Sequence, residues 1–275
     1  MFRGFNLKDF STDMFGNHLP YYVKKGEDLC ADYTNKTKKD LSDFKIKSCE
    51  ILSASAIKDV WFPVYEDKFD IFISHSHDDE KLAYAIACYI NEVFGLNCFV
   101  DGKIWSSADG LLFELDQLNQ PRTTTFDYKK RNFSTSEIHS LLMIAIMQMI
   151  NNCECLFFLN TPKSLSIDVT EKKLSESPWL FIEIGISKLI PKGINSARRH
   201  NFLSSLTEAV LAFDIDTTHL IDLHFDSISE WEETYKLQKK TLDLGKKINP
   251  SKTLSEIYPL DILYSLYPEQ KTLLG

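Results

Sequence analysis

Trp179 and Glu183 are the residues whose types and spacing most directly suggest chemistry, because they stand four positions apart immediately after Ser177-Pro178. A serine followed by proline is typical of a helix start, with the serine as cap and the proline in the first turn. On such a helix the two side chains share one face. A carboxylate held there can stabilise positive charge that develops in a transition state, beside an indole wall. Alone, the pattern more often marks a core tryptophan and a solvent-facing glutamate.

A second polar group, Ser74-His75-Ser76-His77, directly follows the apolar run 69–73. It contains no glycine-rich fingerprint, which excludes a Rossmann-type phosphate turn. Its two histidines and the following Asp78-Asp79 match the start of a metal motif of hydrolases, which also needs histidines at the ends of other strands. The remaining histidines of the chain do not form such a set, so we expect no metal ion.

The elements that must position these residues alternate along most of the chain. Short apolar runs predict strands at 69–74, 97–100, 154–159, 209–215 and 220–223. Capping signals followed by apolar residues at helical spacing predict helices within 76–95, 134–149, 179–190 and 229–244. The helix at 134–149 is apolar nearly all round and is predicted to be buried. A long polar loop carrying Trp105 is predicted after the second strand.

This alternation predicts an α/β fold with a doubly wound, parallel, five-stranded sheet and helices on both faces. The common flavodoxin-like strand order is 2-1-3-4-5. We predict the domain at residues 68–245, with an N-terminal extension packed on it at 1–67 and a C-terminal helical tail at 246–275.

Ligands of such sheets bind outside the carboxyl ends of the strands, where the winding direction switches. In the order 2-1-3-4-5 that point lies between strands one and three. It selects two segments, Ser74 to Asp78 and Asn160-Thr161-Pro162.

Four sequence pieces resemble one family, the Toll/interleukin-1 receptor (TIR) domains. They occur in the family's order on the predicted elements, and the resemblance is to the prokaryotic immune-type TIR proteins that cleave NAD. The pieces are Phe69-Asp70-Ile71-Phe72-Ile73-Ser74-His75-Ser76, Cys98-Phe99-Val100-Asp101, Cys155-Leu156-Phe157-Phe158-Leu159-Asn160 and Ser177-Pro178-Trp179 with Glu183-Ile184-Gly185.

The resemblance implies an enzyme that cleaves the nicotinamide–ribose bond of NAD to give nicotinamide and ADP-ribose or a cyclic ADP-ribose-type signal. Nicotinamide leaves as a neutral molecule, so one carboxylate, that of Glu183, can suffice where ordinary glycosidases use two. NAD would be the substrate, with no prosthetic group. The residues expected to line the nucleotide pocket are Ser74, His75, Ser76, His77, Asn160 and Trp179, with Trp105 in a lid or self-association surface.

The resemblance further implies a role in prokaryotic antiphage defence, with activity switched on by self-association through TIR surfaces or by a partner effector protein. The composition of the chain excludes two further classes of partner. A formal charge of −8 argues against nucleic-acid and anionic-membrane binding, which both depend on an excess of Lys and Arg. The start of the chain lacks an apolar signal-peptide core, and the longest apolar stretch, 141–150, is short of the roughly 20 residues of a membrane span. We therefore expect a cytoplasmic protein.

Two other functions remain open from the sequence. One is a non-catalytic TIR scaffold that mediates TIR–TIR assembly and has no need of Glu183. The other is an enzyme resembling nucleoside 2-deoxyribosyltransferases, which share the doubly wound fold but would need a catalytic glutamate at a different site and a different first loop.

Overall fold

The computed structural model describes residues 3–31, 52–65, 68–119, 128–167, 173–175, 177–190, 213–214, 216–248 and 257–268, and at a few helix and strand residues, among them Trp105, it describes the backbone only. The centre is a five-stranded, all-parallel sheet. Its strands are β1 (Arg3–Lys8), β2 (Ile71–Ser74), β3 (Cys98–Val100), β4 (Cys155–Leu159) and β8 (Ile221–His224). A small antiparallel sheet contains β5 (Ser166–Ile167), β6 (Lys173–Ser175) and β7 (Phe213–Asp214).

The strand order across the central sheet is β3-β2-β4-β1-β8. The side-by-side placement of β3, β2 and β4 confirms the prediction for strands two, one and three. The fourth position differs, because it is occupied by β1, which pairs with β4 on one side and β8 on the other. The predicted fourth strand, 209–215, is described only at Phe213–Asp214, which pair with β6. The predicted order 2-1-3-4-5 is therefore wrong, and the five strands, counted along the chain, lie in the order 3-2-4-1-5.

Eight α-helices are present among the described residues. They are α1 (Leu19–Ala31), α2 (Ala54–Trp61), α3 (Glu80–Phe94), α4 (Gly102–Asn119), α5 (Tyr128–Asn152), α6 (Pro178–Leu189), α7 (Phe225–Ile248) and α8 (Pro259–Leu266), with 3₁₀ turns at Thr12–His18 and His77–Asp79. The predicted end of α3 is confirmed, since Gly95 closes it in the left-handed region at φ 69°.

Both faces of the sheet are covered, as predicted. Ile71 and Ile73 pack in one core cluster with buried residues of α3, α7 and α8. Phe72 points to the other side and packs in a second cluster with buried residues of α2, α4, α5 and α6. Successive strand residues alternate between faces, so a central parallel strand contributes to two cores at once.

The helix α4 stands where the sequence predicted a long polar loop. Ala108 and Leu111 are buried, and Leu112 and Leu115 pack partly buried against the same cluster. Positions 108, 111, 112 and 115 have helical spacing, which the polar residues between them obscure in the sequence. Trp105 therefore lies on a helix, and its side chain is outside the described part of the structure.

The helix α5 begins at Tyr128, before the predicted start at Ser134, and only one of its faces is buried. Ile138 and Leu142 lie in the core, whereas Ile144 is 41% exposed, so the prediction of a helix buried nearly all round is wrong. Among the described residues, Arg131–Asn152 of α5 is the one helical stretch long and apolar enough to cross a membrane by length and composition alone. Helices in the cores of soluble proteins pass the same test.

The N-terminal strand β1 and the C-terminal helices α7 and α8 pack together on the sheet face that α3 covers. The indole of Trp231 on α7 stacks on Phe94 at 3.8 Å between ring centroids, and its Nε1–H donates to the Pro259 carbonyl at 2.9 Å. Arg3 donates from Nη1 to the Tyr264 carbonyl at 2.8 Å. These contacts join β1 and α7 to α8, the helix that the sequence predicted within the C-terminal tail.

Candidate functional site

The two segments that the switch-point rule selected lie side by side. β2 and β4 are parallel neighbours in which Ser74 pairs with Phe158, so the loops after them leave the same edge of the sheet. The buried Asp79 carboxylate links these loops by accepting hydrogen bonds from the hydroxyls of Ser76, at 2.9 Å, and Thr161. This confirms the predicted juxtaposition.

The helix α6 carries Glu183 to this edge. Its start is as predicted, since the Ser177 Oγ accepts a hydrogen bond from the Leu180 N–H at 3.4 Å. Leu180 and Ile184 are buried in the second core cluster and hold the helix against the sheet face. Glu183 lies between them and is only 1% exposed. The interpretation of Glu183 as a solvent-facing helix residue is therefore excluded.

The carboxyl group of Glu183 meets the end of the first predicted strand. The Ser74 Oγ donates a hydrogen bond to Glu183 Oε2 at 2.6 Å. Ser74 is fully buried, so the bond lies out of solvent. Two of the predicted site residues, 109 positions apart in the chain, are thus in direct contact.

Asp101 joins this pair although the sequence did not single it out as a site residue. It directly follows β3, the neighbour of β2, and its negative charge acts on the Glu183 carboxyl. The His75 Nδ1 is 3.1 Å from Asp101 Oδ1 and 3.3 Å from the Ile73 carbonyl oxygen. Both neighbours of Nδ1 are acceptors, so this nitrogen carries a proton. We call the group of Ser74, His75, Asp101 and Glu183 the buried carboxyl cluster.

The surroundings of Glu183 favour its protonated form. Burial, followed by the charge of Asp101 and a hydrogen bond between the two carboxyls, raises the pKa of Glu183 well above its ordinary value of 4.5, and the Ser74 hydrogen bond opposes this only in part. Glu183 Oε1 is buried and has no hydrogen-bond partner among the described residues.

His75 is shifted towards its charged form. Burial acts to lower the pKa of His75, but the charge of Asp101, the hydrogen bonds to Asp101 and to the Ile73 carbonyl, and the charge of Glu80 together outweigh it and raise the pKa above 6.5. The cluster thus favours an imidazolium–carboxylate pair beside a neutral carboxyl. The arrangement can present a negative charge to a cation once Glu183 loses its proton.

Glu183→Gln is expected to stabilise the fold increasingly as pH rises. A carboxyl whose pKa is raised by folding contributes stability that is fully present below the unfolded value of 4.5 and is lost as pH rises towards the folded pKa. Each unit of the raised pKa is worth about 1.4 kcal/mol, and each kcal/mol moves Tm by about 2–4 °C in domains of a few hundred residues.

Thermal melts at pH 5 and pH 8 measure this difference. The Tm of Glu183→Gln should equal that of the natural protein at pH 5 and should be several degrees higher at pH 8. Glu233→Gln, the same change at an exposed position of α7, should show no such trend. A Glu183→Gln protein whose relative Tm falls between pH 5 and pH 8 would contradict the assigned environment.

The remaining predicted site residues make contacts outside the buried carboxyl cluster or are exposed. Ser76 is buried and bonded to Asp79, whereas His77 is exposed. Asn160 is half-buried, and its backbone N–H donates to the Leu7 carbonyl at 3.0 Å. Trp179 packs edge-on against His139 of α5, with ring centroids 5.2 Å apart.

A metal ion is not suggested by the described side chains. Within the described ranges, no group of three or more His, Cys, Asp or Glu side chains is placed to hold one. The carboxyl cluster offers Asp101 and Glu183, but His75 occupies the side of Asp101 with its protonated nitrogen.

Comparison of the chain with protein-family models, with curated proteins and with solved structures returned no match. The site therefore has to be interpreted from its own geometry.

Asp101 and Asp79 are the site residues that sequence reasoning passed over. The signal for Asp101 was available, because it follows β3 directly and so lies at the carboxyl edge of the sheet. The sequence placed Asp79 only in the metal motif that the other histidines do not complete. In the structure it also accepts a hydrogen bond from Ser164 at 3.3 Å and lies 3.6 Å from the Lys163 ammonium, so it holds the two loops together.

Proposed function

We propose that the chain is a TIR-type enzyme that cleaves the nicotinamide–ribose bond of NAD, with Glu183 as the catalytic carboxylate. The observation that carries the proposal is the hydrogen bond from Ser74 to the buried Glu183. It unites the strand-one segment and the Trp-x-x-x-Glu segment, the two pieces of the TIR resemblance that chemistry would require to be in contact.

The finer fold assignment belongs to this proposal. The β3-β2-β4 part of the sheet has the arrangement of the first three strands of a flavodoxin-like TIR domain, and β8 occupies the fifth position. The substitution of β1 at the fourth position makes the chain a variant of that topology. Ser74, which donates a hydrogen bond to the proposed catalytic residue Glu183 on α6, ends β2 in the part of the sheet that keeps the flavodoxin-like order.

The chemistry follows from the substrate. The bond between C1′ of the ribose and the nicotinamide nitrogen breaks, the electron pair leaves with nicotinamide, and positive charge grows on the ribose. A preorganised carboxylate in a site from which water is excluded stabilises that charge far better than solvent does. Water then captures C1′ to give ADP-ribose and a proton, or a second nucleophile of the same substrate closes a cyclic product.

The proposal is tested by incubating the purified full chain with NAD at several protein concentrations and following nicotinamide release, with mass analysis of the second product. Activation by assembly, through TIR surfaces or a partner effector, predicts a specific activity that rises with protein concentration or on addition of the partner. Release of nicotinamide with ADP-ribose or its cyclic isomer supports the proposal. If assembled protein gives no turnover, a non-catalytic scaffold is the better description.

The biological setting rests on the resemblance alone. A cytoplasmic antiphage role predicts that bacterial cells expressing the chain with its activator lose NAD during phage infection, and that cells expressing Glu183→Gln retain it.

A further inference from the structure

Ser74 is buried against Glu183 and does not line an open pocket. Its exposed fraction is 0%, and its hydroxyl donates to Glu183 Oε2 at 2.6 Å. Within the described part of the chain this is the one hydrogen bond of the hydroxyl. From its place in the sequence we expected Ser74 to contact the nucleotide, whereas in the structure its hydroxyl proton is directed at the carboxyl group.

Both partners of this hydrogen bond are held by regular elements. Ser74 ends β2, which is hydrogen-bonded to β3 on one side and to β4 on the other. Glu183 lies in the second turn of α6, where Leu180 and Ile184 on either side of it are buried in the second core cluster. The backbone positions are therefore fixed, but the glutamate side chain still rotates about several bonds. The hydrogen bond from Ser74 restricts it to one orientation.

The hydrogen bond also makes the two oxygens of Glu183 unequal. Oε2 accepts from Ser74, whereas Oε1 is buried and has no hydrogen-bond partner among the described residues. A carboxylate that opposes charge growing on a ribose must present an oxygen in a fixed direction, because this kind of stabilisation depends on preorganisation. Oε1 is the oxygen that remains for this role.

We propose that Ser74 is a positioning residue, whose hydroxyl holds Glu183 Oε2 so that Oε1 faces the ribose of bound NAD. The inference rests on the proposed function. Ser74 itself does not contact the nucleotide, so its removal should leave substrate binding intact and weaken only the transition state. From the usual strength of a hydrogen bond to a charged group, Ser74→Ala should lower kcat by about 10–100-fold, with KM nearly unchanged.

The pH profile of kcat distinguishes this role from a loss of packing. Burial, followed by the charge of Asp101, raises the pKa of Glu183, and the hydrogen bond from Ser74 lowers it. Without the hydroxyl the pKa should be higher still, so the rise of kcat with pH should move to higher pH in Ser74→Ala. The other titratable groups around the site are the same in both proteins, namely His75 after β2, Glu80 on α3 and His139 on α5.

Three further variants separate positioning from packing. Ser74→Thr keeps the hydroxyl and should retain most of kcat. Ser74→Cys keeps the size of the side chain but donates only weakly, so it should behave like Ser74→Ala. Ser187→Ala is the matched control, because Ser187 is also buried and lies on α6 but donates its hydroxyl to the Ile184 carbonyl at 2.8 Å. It should lose stability without a change in kcat or in its pH profile.

Combination with Glu183→Gln tests whether Ser74 acts through Glu183. A residue that acts only through another has little further effect once that other residue is changed. Ser74→Ala should therefore lower the residual turnover of Glu183→Gln by no more than about twofold. A raised KM for NAD in Ser74→Ala, in either background, would make Ser74 a nucleotide contact and overturn the inference.

A measurement without NAD tests the hydrogen bond itself. The pKa of Glu183 lies well above 4.5, so at pH 5 the infrared difference spectrum between the natural protein and Glu183→Gln should contain the carbonyl stretch of a protonated carboxyl group. A hydrogen bond to the carbonyl oxygen lowers the frequency of this stretch. In the Ser74→Ala background the same difference spectrum should therefore show the band at a higher wavenumber, and a band that does not move would contradict the inference.

The outcomes separate the inference from the function. Nicotinamide release by the natural protein, combined with an unmoved infrared band, leaves the enzyme assignment standing and overturns the role of Ser74. No nicotinamide release by the assembled natural protein removes the catalytic assignment, whereas a shifted band in the same samples still supports Ser74 as the group that holds Glu183.

Discussion

Glu183→Gln is expected to lower the rate of nicotinamide release from NAD by about 100-fold or more. The removal of a single preorganised group that stabilises transition-state charge typically costs about 10²–10³ in rate. The pKa of Glu183 is raised within the buried carboxyl cluster, so this group can change from neutral to negative and oppose the positive charge on the ribose. The loss should appear in kcat, because the charge develops only in the transition state.

Glu183→Gln tests the role of the charge alone, because glutamine has nearly the same size and shape as glutamate. The side-chain carbonyl of glutamine can still accept the hydrogen bond that Ser74 donates to Glu183 at 2.6 Å. Its amide carries no charge, so it does not repel the charge of Asp101 that acts on Glu183 in the natural protein. The variant should therefore fold, and the melts described above should place its Tm at or above that of the natural protein.

Glu233→Gln supplies the matched control, since it makes the same chemical change at an exposed position of α7 and should retain full turnover. The measurement is the initial rate of nicotinamide release at saturating NAD for the three proteins. Unchanged turnover in Glu183→Gln would remove Glu183 from the mechanism even if the enzyme assignment survived.

The fragment 68–245, whose limits the sequence predicted as a domain, is expected not to fold cooperatively. It lacks β1, which is hydrogen-bonded to β4 through the register Arg3 to Leu7 and to β8 through Phe5 to Lys8. Without it, β8 has no partner within the central sheet. Phe5 and Leu7 are both fully buried, and burial of each such side chain is worth about 1.5–3 kcal/mol. The total free energy of unfolding of a domain is typically about 5–15 kcal/mol, so the loss of this burial together with the strand hydrogen bonds should leave the fragment unfolded.

The single substitution Phe5→Ala measures, in the intact chain, how much β1 contributes to the stability of the fold. The ring of Phe5 meets Phe157 edge-on, at 5.8 Å between centroids, and stacks with Tyr264 at 6.3 Å. Its truncation should lower the free energy of unfolding by about 3–5 kcal/mol. Leu237→Ala, at a position 66% exposed on α7, should change it by less than about 0.5 kcal/mol. Denaturant unfolding measures both values. A cooperative melt of the 68–245 fragment would show that β1 is dispensable.

Local sequence signals were sufficient where one segment determines its own structure. The apolar runs at 71–74, 98–100 and 155–159 are buried strands, because continuous apolar character is compatible with both faces of a central parallel strand. Ser177-Pro178 opens α6 as predicted, since the capping hydrogen bond and the fixed φ of proline act within one turn. The closeness of the loops after β2 and β4 followed from these strands and the handedness of their connections.

The place of β1 was decided by tertiary structure. In Phe5-Asn6-Leu7-Lys8 apolar and polar residues alternate, a pattern typical of a strand with one face in water. In the structure both faces are covered, and Asn6 is only 1% exposed. A hydrogen bond from the Asn6 amide to the Asp222 carboxylate at 2.7 Å satisfies part of its polar side chain. That partner lies 216 residues away, so no local pattern could indicate that the strand belongs inside the sheet.

The candidate site divides in the same way. The sequence by itself determined which residue types were present, and it indicated correctly that Ser74 ends one strand and Glu183 follows a helix start. Only the tertiary structure decided that the two side chains touch, that Glu183 is buried, and that Asp101 with His75 lies beside it. The physical reason is that the charge of a carboxyl group depends on solvent and on neighbouring charges within a few ångströms, and those neighbours come from separate strands that the fold brings together.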